Sequence, residues 1–169
     1  FDQVQAGTAT FTNAERLGQD IFNNKGDCQR CHGTNGAGAN NDNTDTPEIF
    51  SDFSYKNIGV PSNPLLPAFI EDPLFIDLGL GAQSGNARND GQFRVSTLRN
   101  IANTAPYMHN GVFTTLREVI NFYNTRDTTF TEIPEINQNV DQGGRIGELN
   151  LTENEIDNLI AFLETLSDE

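Results

Sequence analysis

The chain has 169 residues, 24 of them acidic and 10 basic, for a net charge of -14. Phosphate binding needs clustered Lys and Arg, so this balance excludes nucleic acid as a partner. It leaves a basic protein drawn in by long-range attraction, or acidity that serves solubility alone. Only 36% of residues are hydrophobic and the mean hydropathy is -0.50, a modest core for the length, with room for a group other than side chains to fill it.

No apolar run approaches the roughly 20 residues of a membrane span. A chain opening on Phe1 is expected to have lost an upstream segment, either a signal peptide or another domain. Taken in chain order, the first predicted element is a helix over 12–24, with Thr12 or Asn13 as cap and Ala14, Leu17 and Ile21 on one face. Residues 33–114 then read as one long irregular region. It starts with the Gly- and Asn-rich "GTNGAGANNDNTDT", a flexible surface loop by composition, and continues through "NIGVPSNPLLP", where Pro61, Pro64 and Pro67 break any helix. No alternation marks a strand. A second helix spans 115–124, with Leu116, Val119, Ile120 and Tyr123 at helical spacing. A third spans 152–166, opened by a Thr152/Glu155 capping box and striped with Ile156, Leu159, Ile160, Leu163 and Leu166. A loop as long as 33–114 suits a compact domain only if it wraps a large prosthetic group.

Cys28-Gln29-Arg30-Cys31-His32 names such a group. It holds both cysteines and one of the two histidines. Cys-x-x-Cys-His is the attachment pattern of c-type haem: each thiol adds to one porphyrin vinyl group, and the adjoining histidine supplies the proximal nitrogen to iron. Zinc would need further ligands, and only His109 remains. A redox Cys-x-x-Cys belongs at a helix start in a βαβ pattern, which is absent, and a disulfide here would close too small a loop to be useful. Thioether attachment implies assembly outside the cytoplasm, so the expected location is periplasmic or extracellular, and it accounts for both thiols of an exported chain. The expected fold class is mostly α: one cytochrome c-like helical haem domain over 1–169 with a long irregular loop.

The segments "NIGVP" (57–61), "FRVSTLRNIANTAPYMHNG" (93–111), "TLREVINFYN" (115–124) and "LTENEIDNLIAFLETL" (151–166) follow "CQRCHG" in order. Together they resemble the C-terminal haem domain of the bacterial dihaem cytochrome c peroxidases and the related MauG proteins. Two departures stand out: Ser96 replaces a usual Pro, and one CxxCH motif is present where the family carries two. The resemblance implies a high-potential haem that receives electrons from a donor, while peroxide is reduced at a second haem in the other domain. It also implies a calcium ion at the domain interface, held partly by the carbonyls of Thr104 and Pro106 with a further ligand from the other domain.

For the second axial position on iron, Met108 is the sole methionine, and its soft thioether favours Fe(II) and electron transfer. The resemblance instead favours Tyr123, in register with the family's ligating position fourteen residues after the histidine of the "YMHNG" segment, and MauG has a tyrosine there. A phenolate would favour Fe(III). His109 is a third candidate for iron and, if the protein is an enzyme, the candidate acid–base group. Arg99 is the candidate partner of a haem propionate. Phe93, Leu98, Ile101, Ile58 and Phe162 are candidate pocket walls. These residues support an electron-transfer module first, a peroxidase or MauG-like oxidase second, and a structural electron-conducting subunit third. The expected partner is a redox protein with a basic docking face, or a second haem domain.

Overall fold

Three Thr-x-x-Glu boxes start the three longer helices of the computed structural model, which describes residues 1–33, 48–142 and 146–168. In each, the Thr hydroxyl accepts from the Glu amide while the Glu carboxylate accepts from the Thr amide, satisfying two of the donors a helix start leaves bare. The helices are α2 (Asn13–Asn23), α5 (Leu116–Thr125) and α6 (Glu153–Glu164), within a residue or two of the predicted spans. A one-turn helix at Asp2–Gln5, α1, is additional. The chain is mostly helical, as the sequence leads one to expect. The run 34–47, which contains most of the predicted Gly- and Asn-rich loop, lies outside the described residues.

The rest of the irregular region carries short elements that periodicity does not reveal: β1 (Tyr55–Lys56), α3 (Pro67–Glu71), α4 (Leu80–Ser84) and β2 (Phe93–Arg94), with three-residue 3-10 turns at Ala87–Asn89 and Ile101–Asn103. β1 and β2 pair antiparallel, Tyr55 opposite Arg94 and Lys56 opposite Phe93. Strands of two residues are too short for alternation to register.

The chain divides into two compact units. The first comprises Phe1–Ser54, Val95–Ala105 and Leu149–Glu169. Its centre is the packing of α2 on α6. The two helices approach so closely at Gly18 that a Cβ there would stand 1.9 Å from the Asn158 carbonyl oxygen. Ile21 and Phe22 of α2 bury against Ile156, Leu159, Phe162, Leu163 and Leu166, and the Phe22 and Phe162 rings lie 5.3 Å apart. The contact face of α2 therefore runs through Gly18, Ile21 and Phe22, with Ala14 and Leu17 only partly covered. Lys25 pairs with Glu155 at 2.7 Å beside it.

The second unit comprises Tyr55–Arg94 and Pro106–Glu148. Val60, Tyr107, Phe113, Ile120, Phe122 and Ile136 form its core. Its irregular backbone is tied together by side chains that reach carbonyls. Buried Asn57 donates to Ile136 O at 3.2 Å and Gln138 O at 2.9 Å, and buried Asn110 donates to Pro61 O at 2.8 Å. Arg126 reaches Ile58 O, Asp141 O and Ile146 O at 3.1, 3.1 and 3.3 Å. These bonds do for the loop what ladders do for a sheet.

Candidate haem site

The Cys-x-x-Cys-His segment is shaped by the turn that ends α2. Asp27 takes a left-handed φ of 48° and leads into a 3-10 turn at Cys28–Arg30. Cys31 N and His32 N both donate to Cys28 O, at 3.2 and 2.8 Å. Gly26 makes room for the first thiol, since a Cβ there would lie 3.0 Å from both Cys28 Sγ and Ile21 O. Neither cysteine is in a disulfide, and both are partly buried. Desolvation, helped by the Asp27 charge, pushes the Cys28 thiol up to about 12. Among the described residues no group of three or more His, Cys, Asp or Glu side chains is placed to hold a metal ion, the Cys28–Cys31–His32 trio included.

His32 is oriented by the next described segment. Its Nδ1 lies 3.0 Å from the Phe50 carbonyl oxygen. A carbonyl only accepts, so Nδ1 carries the proton and Nε2 carries the free lone pair, the tautomer a metal ligand needs. Burial holds the imidazole below its ordinary value, opposed by the Phe50 and Ser96 backbones and the Asp52 charge. The neutral, ligating form is thereby favoured. Asp52 N donates to Cys31 O at 2.8 Å, so segment 50–52 grips both the second cysteine and the histidine. The donor set fits a covalent haem.

Arg99 lies in the same unit. Its Nη1 and Nη2 donate to the two Asp2 oxygens at 2.6 and 2.7 Å, and its Nε donates to Glu48 O at 2.6 Å. The guanidinium lies over the Phe1 and Phe50 rings, 5.6 and 5.7 Å from their centroids. Asp2 thus occupies the bidentate position that sequence analysis assigns to a propionate. The hydrogen bonds from Arg99 hold the Asp2 carboxyl below its ordinary value. Nearby, the Glu48 carboxyl is raised by desolvation, against the Arg99 charge, and its Oε2 is buried without a hydrogen-bond partner.

The candidates His109, Met108 and Tyr123 lie in the second unit. His109 stacks on Phe93, centroids 3.6 Å apart and planes 11° from parallel, and its Nε2 lies 3.1 Å from Glu135 Oε2. Desolvation lowers its pKa, while Glu135 and, more weakly, Asp77 work the other way. Met108 has a left-handed φ of 71°. Tyr123 is partly exposed on α5, whereas its neighbour Phe122 is fully buried. Of the candidate pocket walls, Phe162 belongs to the α2–α6 core, and Phe93, Leu98, Ile101 and Ile58 are partly exposed.

Sequence reasoning groups Cys28, Cys31 and His32 as a local cluster, and the structure places them on one turn. It misses Phe50, Ser51, Asp2 and Glu135, because each acts through contacts 18 or more residues away in the chain. The one available signal is a serine enclosed by phenylalanines in "FSDF" within an otherwise polar stretch.

No protein-family model matches the chain. The methylamine utilization protein MauG of Paracoccus denitrificans is 36% identical over 183 residues, which cover 99% of this chain and 46% of that protein. Cytochrome-c peroxidase IdrP1 of a Pseudomonas species is 32% identical over 190 residues, covering 99% of this chain and 44% of that one. A crystal structure of a variant of the diheme peroxidase BthA from Burkholderia thailandensis superposes with a TM-score of 0.81 at 31% identity, over 99% of this chain and 45% of that one. Over 99% of its length the chain is similar to members of the MauG and dihaem cytochrome c peroxidase family. It has that family's fold and spans less than half the length of the curated MauG and peroxidase relatives it matches. Among the described residues no helix is long and apolar enough to cross a membrane.

Proposed function

We propose that this chain is a single c-type cytochrome domain that relays electrons through one haem, bound covalently at Cys28 and Cys31 and ligated by His32. The observation that carries this reading is the His32 Nδ1 contact with the Phe50 carbonyl, beside two cysteines on one turn that form no disulfide. The haem, once bound, supplies a one-electron Fe(III)/Fe(II) couple. The protein contributes the rest. Cys28 and Cys31 fix the porphyrin edge, Phe50 O orients His32, and Arg99 pairs with a propionate in exchange for the 59%-exposed Asp2 carboxylate. Tyr123 is the preferred second axial ligand and Met108 the alternative. Maturation is periplasmic or extracellular, as thioether attachment requires. The partner is a redox protein with a basic docking face, or a second haem domain of the kind the diheme relatives contain. A calcium ion on the Thr104 and Pro106 carbonyls is a further element of this reading.

Intact mass and absorption after denaturation and acid-acetone extraction test the proposal. Retained colour and one haem of added mass are expected, and a bare-polypeptide mass would overturn it. The names of the relatives favour a second reading, peroxidase or MauG-like oxidase chemistry. His109, paired with Glu135, would then move the proton. Peroxide turnover by the haem-loaded protein that falls about a hundredfold in His109→Gln would support that reading. Negligible turnover, together with a six-coordinate low-spin ferric spectrum, supports the relay.

A further inference from the structure

Among the described residues Ser51 is the one serine with a fully buried side chain, and no part of the haem reading above uses it. Its hydroxyl donates to Val95 O at 2.7 Å, and its oxygen accepts from Phe53 N at 3.0 Å. On either side, Phe50 and Phe53 both take left-handed φ values, 50° and 55°, a region that L residues other than glycine, Asn and Asp avoid. One residue further out, Thr97 Oγ1 donates to Ile49 O at 2.5 Å. The segment 49–53 is therefore a strained strap stitched to 95–97 by two hydroxyls. Of these two hydroxyls the buried one is that of Ser51, adjacent to the carbonyl that orients His32.

We infer that Ser51 is a positioning residue for His32: its hydroxyl, bonded to Val95 O and Phe53 N, holds the Phe50 carbonyl against the imidazole and so sets the electron density that His32 offers to a bound iron. The proposal rests on the haem reading. A proximal histidine that donates strongly through Nδ1 gains anionic character and stabilises Fe(III). Without the Ser51 hydroxyl, the strap relaxes toward ordinary φ values, the Phe50 carbonyl turns away, and Fe(III) loses that support. The couple then becomes easier to reduce.

The test is spectroelectrochemical titration of the haem-loaded protein, with Ser51→Ala and Ser51→Thr beside wild type. In Ser51→Ala the Fe(II)/Fe(III) ratio at fixed applied potential should rise about tenfold, the low end of outer-shell effects, which is about 59 mV for one electron. Ser51→Thr restores the hydroxyl and should read as wild type. A haem-loaded alanine variant with the wild-type ratio, or a threonine variant shifted as far as the alanine one, overturns the proposal. If the alanine variant fails to take up haem, the wild-type protein decides. Its His32 Nδ1 proton should exchange with solvent at least tenfold more slowly than that of a solvent-exposed imidazole, and equal rates would overturn the proposal. Wild-type protein that takes up no haem overturns the haem reading itself, a result distinct from haem-loaded protein insensitive to Ser51.

Discussion

Met108 and Tyr123 are the two candidates proposed for one position on the iron, and they differ in chemistry. A neutral thioether favours Fe(II), whereas an anionic phenolate favours Fe(III). Met108 is already committed to a backbone conformation with φ 71°, which costs a non-glycine residue about 1–2 kcal/mol and is retained only when its surroundings impose it. Tyr123 stands on regular helix, its ring edge-on to Phe122 at 5.8 Å. With Tyr123 as ligand, Tyr123→Phe shifts the ferric absorption spectrum to a high-spin form and raises the midpoint potential on the order of 100 mV, within the roughly 0.8 V that axial ligation spans. Met108→Ala leaves both unchanged. A weak red-region sulfur-to-iron band that survives Tyr123→Phe assigns the position to Met108 instead. The same reasoning about charge applies at Arg99, where Asp2 already holds the guanidinium. Asp2→Asn should leave haem uptake intact, because a propionate takes over the fork, and a loss of uptake measured by pyridine haemochrome would contradict that exchange.

Helices α2 and α6 were the most legible part of the sequence, because Thr-x-x-Glu boxes and a 3.6-residue apolar period are local signals. What they touch was not legible. Glycine inside a helix costs propensity, yet at Gly18 the backbone of α6 comes so close that no Cβ would fit. Gly18→Ala gains about 1 kcal/mol of helix propensity but places a methyl 1.9 Å from a backbone oxygen, which no side-chain rotation relieves. Overpacking of this kind costs about 1–3 kcal/mol or more, so the clash wins and the midpoint of denaturant unfolding should fall. An unchanged midpoint would mean that α2 and α6 do not cross there. The caps add a pH dependence. Hydrogen bonds from Lys25 and the Thr152 amide hold Glu155 below its ordinary value of 4.5. A depressed folded-state pKa contributes stability above the unfolded value, and that contribution is lost as pH falls through the folded one. Glu155→Gln should therefore cost about 1 kcal/mol at pH 7 and nothing at pH 2, by denaturant unfolding at both. An equal cost at both pH values would mean that the carboxylate charge plays no part. The motif Cys28–His32 was legible for the same reason as the helices: it is contiguous. The Ser51 strap, the Asn57 and Asn110 amides and the Asp2–Arg99 pair were not, because a polar residue in a loop looks alike whether it is solvated or holds a carbonyl from a distant segment.

At the scale of the whole molecule, the charge of -14 acts with a stretch of exposed apolar residues that composition conceals. Leu65, Ile70, Leu74 and Ile76 stand 79, 66, 86 and 52% exposed within one short stretch. From Asn57 to Ala87 there is no Lys or Arg, while Glu71, Asp72 and Asp77 accompany the apolar residues. Isolated exposed leucines need no explanation, but an apolar run with a one-signed border is the pattern of a docking face. A second copy would bring the same carboxylates to the contact, and an anionic bilayer would repel it, so a complementary surface would be apolar and ringed by Lys and Arg, as the proposed redox-protein partner would offer. Cationic mitochondrial cytochrome c is a suitable probe. Its affinity for the haem-loaded protein, by calorimetry, should weaken as salt rises, because exposed charges are screened. It should also fall about tenfold in the double variant Ile70→Ser and Leu74→Ser, a loss of roughly 1.4 kcal/mol and modest for two desolvated aliphatic side chains. The salt slope should stay the same, since no charge has changed. An unaltered affinity in the double variant would place docking on another face. Sedimentation of a wild-type dimer that the same substitutions abolish would give the patch to a second copy of the chain.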